Sequence, residues 1–225
     1  LRDNHRALLD AHRGIAKSIA QRSAITPSAE WLVDNFHVVE AQIRQIGDDM
    51  PPGYYRQLPK LADGPLAGYP RVLGLAWAFV AHTDSRFDTH LLTSFVNAYQ
   101  REQPLTIGEL WAIAITLRIV LVENLRRAAD SIASARAVRQ QADLLADRLL
   151  GAGGQQPEPL AVLLRVWDGV VLSTTFAVQL LQRLRDHDPE ATPALMWLEA
   201  RLAAAGTTAD AIVRDEHQRQ GASSV

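Results

Sequence analysis

The sequence predicts an all-α protein, an irregular bundle of about seven or eight helices interrupted by one long Pro/Gly-rich loop. Three observations carry this. Apolar residues recur at helical spacing, as in Leu32, Phe36, Val39, Ile43 and Ile46, at steps of 4, 3, 4 and 3. No segment shows sustained two-residue alternation with β-branched enrichment, so no sheet is expected. Helix start and stop residues also sit where the periodic segments begin and end.

Element by element, the chain opens on a polar, helix-like stretch, Leu1 to Arg6. Thr26-Pro27-Ser28 starts a helix over about 28–47, since proline is tolerated in a first turn. Gly47 and Pro51-Pro52 end it. Residues 51–70 then hold five of the 11 prolines and three of the 13 glycines, yet keep Leu58, Leu61, Leu66 and three tyrosines. Such a loop is expected to pack down or to bind something. Helices are predicted at about 71–82 and 88–102. Thr106-Ile107-Gly108-Glu109 matches a capping box, opening a long helix over 106–149. From Leu110 to Leu125 that helix is apolar nearly all round, apart from a stripe of Glu109, Thr116, Glu123 and Arg127, and burial on most sides is expected. Gly151-Ala152-Gly153-Gly154-Gln155-Gln156-Pro157 reads as a linker between a lobe at 1–150 and a second helical segment at 151–225, packed as one unit. A second apolar stretch runs from Leu160 to Leu181, and helices near 189–205 and 208–220 close the chain.

Composition excludes more than it assigns. The chain has 225 residues and no cysteine, which removes disulfides, Cys-ligated zinc, iron–sulfur clusters and a thiol nucleophile. Its 23 Lys+Arg against 25 Asp+Glu leave a net charge of −2, without the basic surplus of a nucleic-acid binder. A first residue other than Met and a hydrophilic C-terminal end read as an excised piece of a longer chain. Both apolar stretches carry charges, each costing about 2.5–3.5 kcal/mol at the centre of a membrane helix, so core helices are expected and not spans.

Candidate chemistry is sparse. Asp34, His37 and Glu40 share a helix face but read as solvated, with a Glu40–Arg44 pair. Asp186-His187-Asp188 resembles a metal-holding D-x-D, yet it follows a helix, and Asp188 reads as an N-cap before Pro189. Arg118 has only apolar helical neighbours and must find a carboxylate, carbonyls or an anion; a structural ion pair is expected over an anion site, with Asp84, Asp88 and Glu40 as candidate partners. One cluster could take a sugar: Tyr54, Tyr55, Arg56, Lys60, Tyr69, Arg71, Trp77, His82, Asp84, Arg86 and Arg118 combine ring faces with polar groups. In the loop at 82–88, Asp84, Ser85 and Asp88 read by default as caps. No catalytic or metal constellation is expected.

Several long phrases carry a family resemblance: Trp31 to Glu40, Pro52 to Lys60, Gly64 to Val72, Ala76 to Ser85, Gln103 to Trp111, Ile115 to Arg118 and Glu123 to Arg127. Together they resemble the N-terminal region of the bacterial cyclic β-1,2-glucan synthases, densely over about 30–127 and more thinly beyond. The resemblance implies a soluble helical region of a large inner-membrane glycosyltransferase, on its cytoplasmic face, ahead of the catalytic part. It implies UDP-glucose and a divalent metal for the parent protein and no cofactor for this piece. The partners implied are the rest of the synthase chain, with glucan or UDP-glucose as further candidates and no nucleic acid. The Gln-x-x-Arg-Trp motif of such transferases has only a partial counterpart here, Gln182-x-x-Arg185 followed by Asp186. The role implied is therefore structural or docking, with a carbohydrate- or nucleotide-sugar-binding module as the alternative.

Overall fold

A computed structural model describes residues 1–20, 25–51, 53–151, 159–164, 167, 172–186 and 192–222. All regular structure among them is helical: α1 (Arg2–Ala20), α2 (Pro27–Asp34), α3 (Phe36–Asp49), α4 (Tyr54–Gln57), α5 (Arg71–His82), α6 (Thr89–Glu102), α7 (Ile107–Leu150), α8 (Leu160–Leu164), α9 (Thr174–Arg185), α10 (Thr192–Ala204) and α11 (Ala209–Ala222). The all-α expectation is met. The chain divides into two compact units, Leu1–Asp130 and Ser131–Val225, the dividing point lying within α7. The linker expected at 151–157 and the Asp188 cap lie outside the described residues, apart from Gly151.

In the first unit, α1 packs on α2 and α3, burying Leu8 and Ile15 and stacking His12 on Phe36 at 4.2 Å between ring centroids. Thr26 caps α2 as expected, its hydroxyl accepting from the Ala29 amide, with Pro27 in the first turn. The single helix expected over 28–47 is two. At Asn35 the backbone leaves helical geometry, and both the Asn35 amide and its side-chain Nδ2 donate to the Trp31 carbonyl. This local bond competes with helix continuation, which explains the break. The predicted stripe survives it: Leu32, Phe36, Val39, Ile43 and Ile46 are all buried.

The loop after α3 packs down. Its main chain closes on itself through Arg71 N–H to Pro59 C=O (2.7 Å), Leu61 N–H to Tyr69 C=O (2.9 Å) and Gly68 N–H to Leu61 C=O (2.9 Å). Gly53, Gly64 and Gly68 take positive φ at its turns. Leu58 is buried with Val72 of α5 and Ala112 of α7. Gly74 of α5 lies under the loop, and a Cβ there would meet Leu61 Cδ1 at 3.0 Å. Helices α5 and α6 follow at the expected positions. Asp88 caps α6, its Oδ1 accepting from the His90 and Leu91 amides, while Asp84 and Ser85 hold left-handed φ of 50° and 63°.

The second unit is built around α9, which packs against α10 and α11. Ser173 caps α9, and Phe176, Ala177, Leu180, Leu181 and Leu184 form its buried face. Ala142, Leu145 and Ala146 of α7 and Leu198 of α10 complete the same core. Polar contacts border it: Gln179 Nε2 donates to Asp143 (2.8 Å), Arg183 pairs with Asp147, and Arg139 with Glu216 (3.8 Å). Among the described residues no helix is long and apolar enough to cross a membrane.

Leu181 is fully buried in this core. Leu181→Ala should lower stability by about 2–5 kcal/mol, the range for a buried Leu truncation. Urea unfolding followed by circular dichroism measures it; a loss within experimental error of zero would contradict the described packing.

Candidate functional site

Three of the residues singled out by sequence, Tyr54, Tyr55 and Arg71, are bonded to the first turns of α7, and the centre of the arrangement is Glu109. The expected capping box forms: Glu109 N–H donates to Thr106 Oγ1 (3.2 Å) and Thr106 N–H donates to Glu109 Oε2 (2.9 Å). Glu109 also accepts two bonds from Arg71, Nε to Oε1 at 2.8 Å and Nη2 to Oε2 at 2.7 Å. Arg71 Nη2 donates further to the Pro104 carbonyl (3.0 Å). The Glu109 side chain is fully buried. Burial opposes ionisation of its carboxyl, but the bonds from Arg71 and Thr106 outweigh that and hold it below the usual 4.5.

The two tyrosines of α4 dock on α7 beside this pair. Tyr54 Oη donates to the Gly108 carbonyl (2.6 Å), and Tyr55 Oη lies 3.3 Å from Thr116 Oγ1. Burial raises the Tyr55 hydroxyl pKa, with the Thr116 bond opposing it in part. Glu109 and Thr116 were expected on a thin polar stripe of a buried helix; both are fully buried, while Glu123 is partly buried and Arg127 exposed further along it. Further along, Glu123 binds Arg126 through both carboxylate oxygens and Arg127 at 3.0 Å. Those bonds, led by Arg126, hold the Glu123 carboxyl down at about 2 against the effect of burial. The Arg127 guanidinium stands over the Trp77 ring at 4.6 Å.

The remaining candidates sit apart from this network. Arg56, Lys60, Tyr69, His82, Asp84 and Arg86 are exposed. Lys60 forms an isolated antiparallel bridge with Pro70. Arg118 forms the expected ion pair, but it is 38% exposed and its partner is Asp49 at the end of α3 (3.3 Å), not Asp84, Asp88 or Glu40. Its neighbours along α7 are apolar, and α3 supplies the partner. Glu40, for its part, lies 3.7 Å from His5 Nε2. Asp34 and His37 are exposed, and no group of potential ligands converges on a metal site among the described residues.

One feature was not expected from the sequence. The face of α7 opposite the bonded stripe is apolar and exposed: Trp111 is 77% exposed and Ile107 74%, and Leu110, Ala114 and Leu121 continue the row. Between this row and α6 lies an open groove of about 590 Å³, lined among others by Val96, Ile113 and Leu117, with Asn97, Gln100 and Arg118 at its polar positions. Of the cluster suited to sugar, only Arg118 lines it. The spacing 107, 110, 111, 114, 121 marks one helix face and is visible in the sequence. A helix apolar nearly all round reads as buried, and that hides the exposed face.

Removing the charge at the fully buried Glu109 leaves the partly buried Arg71 against an uncharged partner. Glu109→Gln should therefore cost about 1.5–3 kcal/mol in urea unfolding, the range for a lost charged hydrogen bond. The pH dependence has a definite sign. Because the folded carboxyls of Glu109 and Glu123 lie below 4.5, their stabilisation is complete above that pH and is lost as pH falls through the folded values, down to about 2 for Glu123. The wild-type urea midpoint should fall across this window, and less steeply in Glu109→Gln. Parallel pH profiles would sink the assignment.

No protein-family model matches the chain. It is 38% identical over 218 residues to the cyclic β-(1,2)-glucan synthase NdvB of Rhizobium meliloti (strain 1021). That match takes in 97% of this chain but spans only 8% of the synthase. The resemblance read from the sequence phrases is thus shown over nearly the whole chain, and the chain is homologous to a short stretch of a cyclic β-(1,2)-glucan synthase.

Proposed function

We propose that this chain is a non-catalytic structural and docking module of a cyclic β-1,2-glucan synthase, working at the cytoplasmic face of a bacterial inner membrane. The glycosyl transfer from UDP-glucose, with any divalent metal it uses, belongs to other parts of the synthase. The observation that carries this reading is the saturation of the polar network. Tyr54, Tyr55, Arg71 and Glu109 commit their bonding groups to each other's elements, and Trp77 is covered by Arg127. A group already bonded within the fold must break those bonds to hold a substrate, at a cost of about 0.5–1.5 kcal/mol per neutral bond and more for a charged one. The homology supplies the parent protein for the reading.

A carbohydrate- or nucleotide-sugar-binding module centred on residues 54–88 is the alternative, favoured by the exposed ring of Tyr69 and by exposed Lys60, which bridges to the neighbouring Pro70. Calorimetric titration of the 225-residue chain with UDP-glucose and with β-1,2-glucan oligosaccharides separates the two. No saturable heat up to about millimolar ligand, equivalent to about −4.1 kcal/mol, is expected. Saturable binding lost in Tyr69→Ala would establish the alternative and overturn the non-binding module.

A further inference from the structure

We propose that the exposed apolar face of α7, with the groove between α6 and α7, is the seat of an amphipathic helix from elsewhere in the synthase polypeptide. This deepens the docking role proposed above and rests on it. The first observation is the face itself. Ile107, Leu110, Trp111, Ala114 and Leu121 lie in one row, more than half of Trp111 and Ile107 being bare to water. A row of that spacing matches the ridge that a second helix packs against, and such an anchored helix is read by its own i, i+3, i+4, i+7 residues. From Leu110 to Leu121 the row runs about 16 Å at 1.5 Å per residue, the length of three helical turns.

The orientation of α7 removes the ordinary explanation for an apolar exterior. Its polar side chains, Glu109 and Thr116, are committed to the interior, so the helix cannot turn the apolar row inward without breaking the Arg71 pair. The row is held outward by the fold. An uncovered row of this size is a cost that a partner removes.

Two observations choose the occupant. The related synthase carries this stretch as only 8% of its length, so most of that polypeptide is available to cover the face. The groove also has a polar border that holds no surplus of charge. The Arg118 guanidinium, 38% exposed and held by a half-exposed Asp49, stands on the groove with the amides of Asn97 and Gln100. That pattern fits a helix whose apolar stripe is flanked by uncharged hydrogen-bonding side chains. A lipid surface would instead call for a border rich in Lys and Arg.

The absence of cysteine makes the test direct, since one introduced thiol is unique in this chain. Ala114→Cys places it on the face, and Asp63→Cys places it on the exposed loop as a control. Each variant is prepared as the 225-residue chain and within the Rhizobium synthase, replacing its matching stretch. Maleimide labelling of the two sites is followed by peptide mass spectrometry. Labelling of the Ala114→Cys variant should be at least about tenfold slower in the synthase than in the isolated chain, while the Asp63→Cys variant labels equally in both. Equal rates for Ala114→Cys in the two settings would overturn the docking site. Protection in the isolated chain that grows with concentration would overturn it in favour of a second copy. Protection in the synthase that disappears with lipid removal would overturn it in favour of membrane lipid. Cyclic glucan output of the same unsubstituted chimera reports separately on the functional reading, so an active chimera with a freely labelled face would refute the docking site alone.

Discussion

Arg71 and Glu109 meet with two parallel hydrogen bonds, and much of the first unit depends on that meeting. Arg71 stands at the first position of α5, directly after the loop; Glu109 stands in the first turn of α7, within its own capping box. One carboxylate therefore fixes the start of a helix, the end of a loop and the rotation of α7 about its axis. A monodentate Lys–Glu contact would fix distance alone; the planar guanidinium fixes angle as well. With that rotation set, Thr116 turns toward Tyr55, and Trp111 turns outward.

The pair also explains why a loop so rich in proline and glycine is well packed. Its proline residues limit the unfolded chain's freedom, and its glycines take the turns that other residues disfavour. Tyr54 and Tyr55 then act as two pegs on α7, and Leu58 fills the space between them and α5. The tyrosine hydroxyls are polar tips on apolar rings, and each finds a partner where the ring is covered.

Much of this was legible in the sequence, for reasons that differ by element. The helix at 71–82, the stripe from Leu32 to Ile46 and the Thr106–Glu109 box were readable because their determinants are local: a period, a cap, a proline. The break at Asn35 was not, since an asparagine within a helix competes for a carbonyl only when its rotamer allows it. The partner of Arg118 was out of reach because Asp49 comes from 69 residues earlier in the chain. The burial of Glu109 and Thr116 was out of reach for the same reason. A sparse polar row on an apolar helix reads as the wet side unless Arg71, 38 residues away, is known to claim Glu109. The candidate cluster shows the same limit: composition grouped its aromatic and charged members, while tertiary bonds divided them between a bonded core and an exposed loop.

The closed main chain of the loop gives it a ring-like construction with two unlike parts. From Pro59 to Leu61 and from Gly68 to Arg71 the backbone groups bond across to each other, and this clasp fixes the ends. The residues between them, Ala62 to Pro65, are exposed and touch α5 and α7 through none of the bonds described. Lengthening a closed loop costs free energy only as the logarithm of its size, about 0.6 kcal/mol per doubling. The tip is thus a place where inserted sequence, a peptide tag or a reporter, can be carried while the clasp keeps α5 and α7 in register.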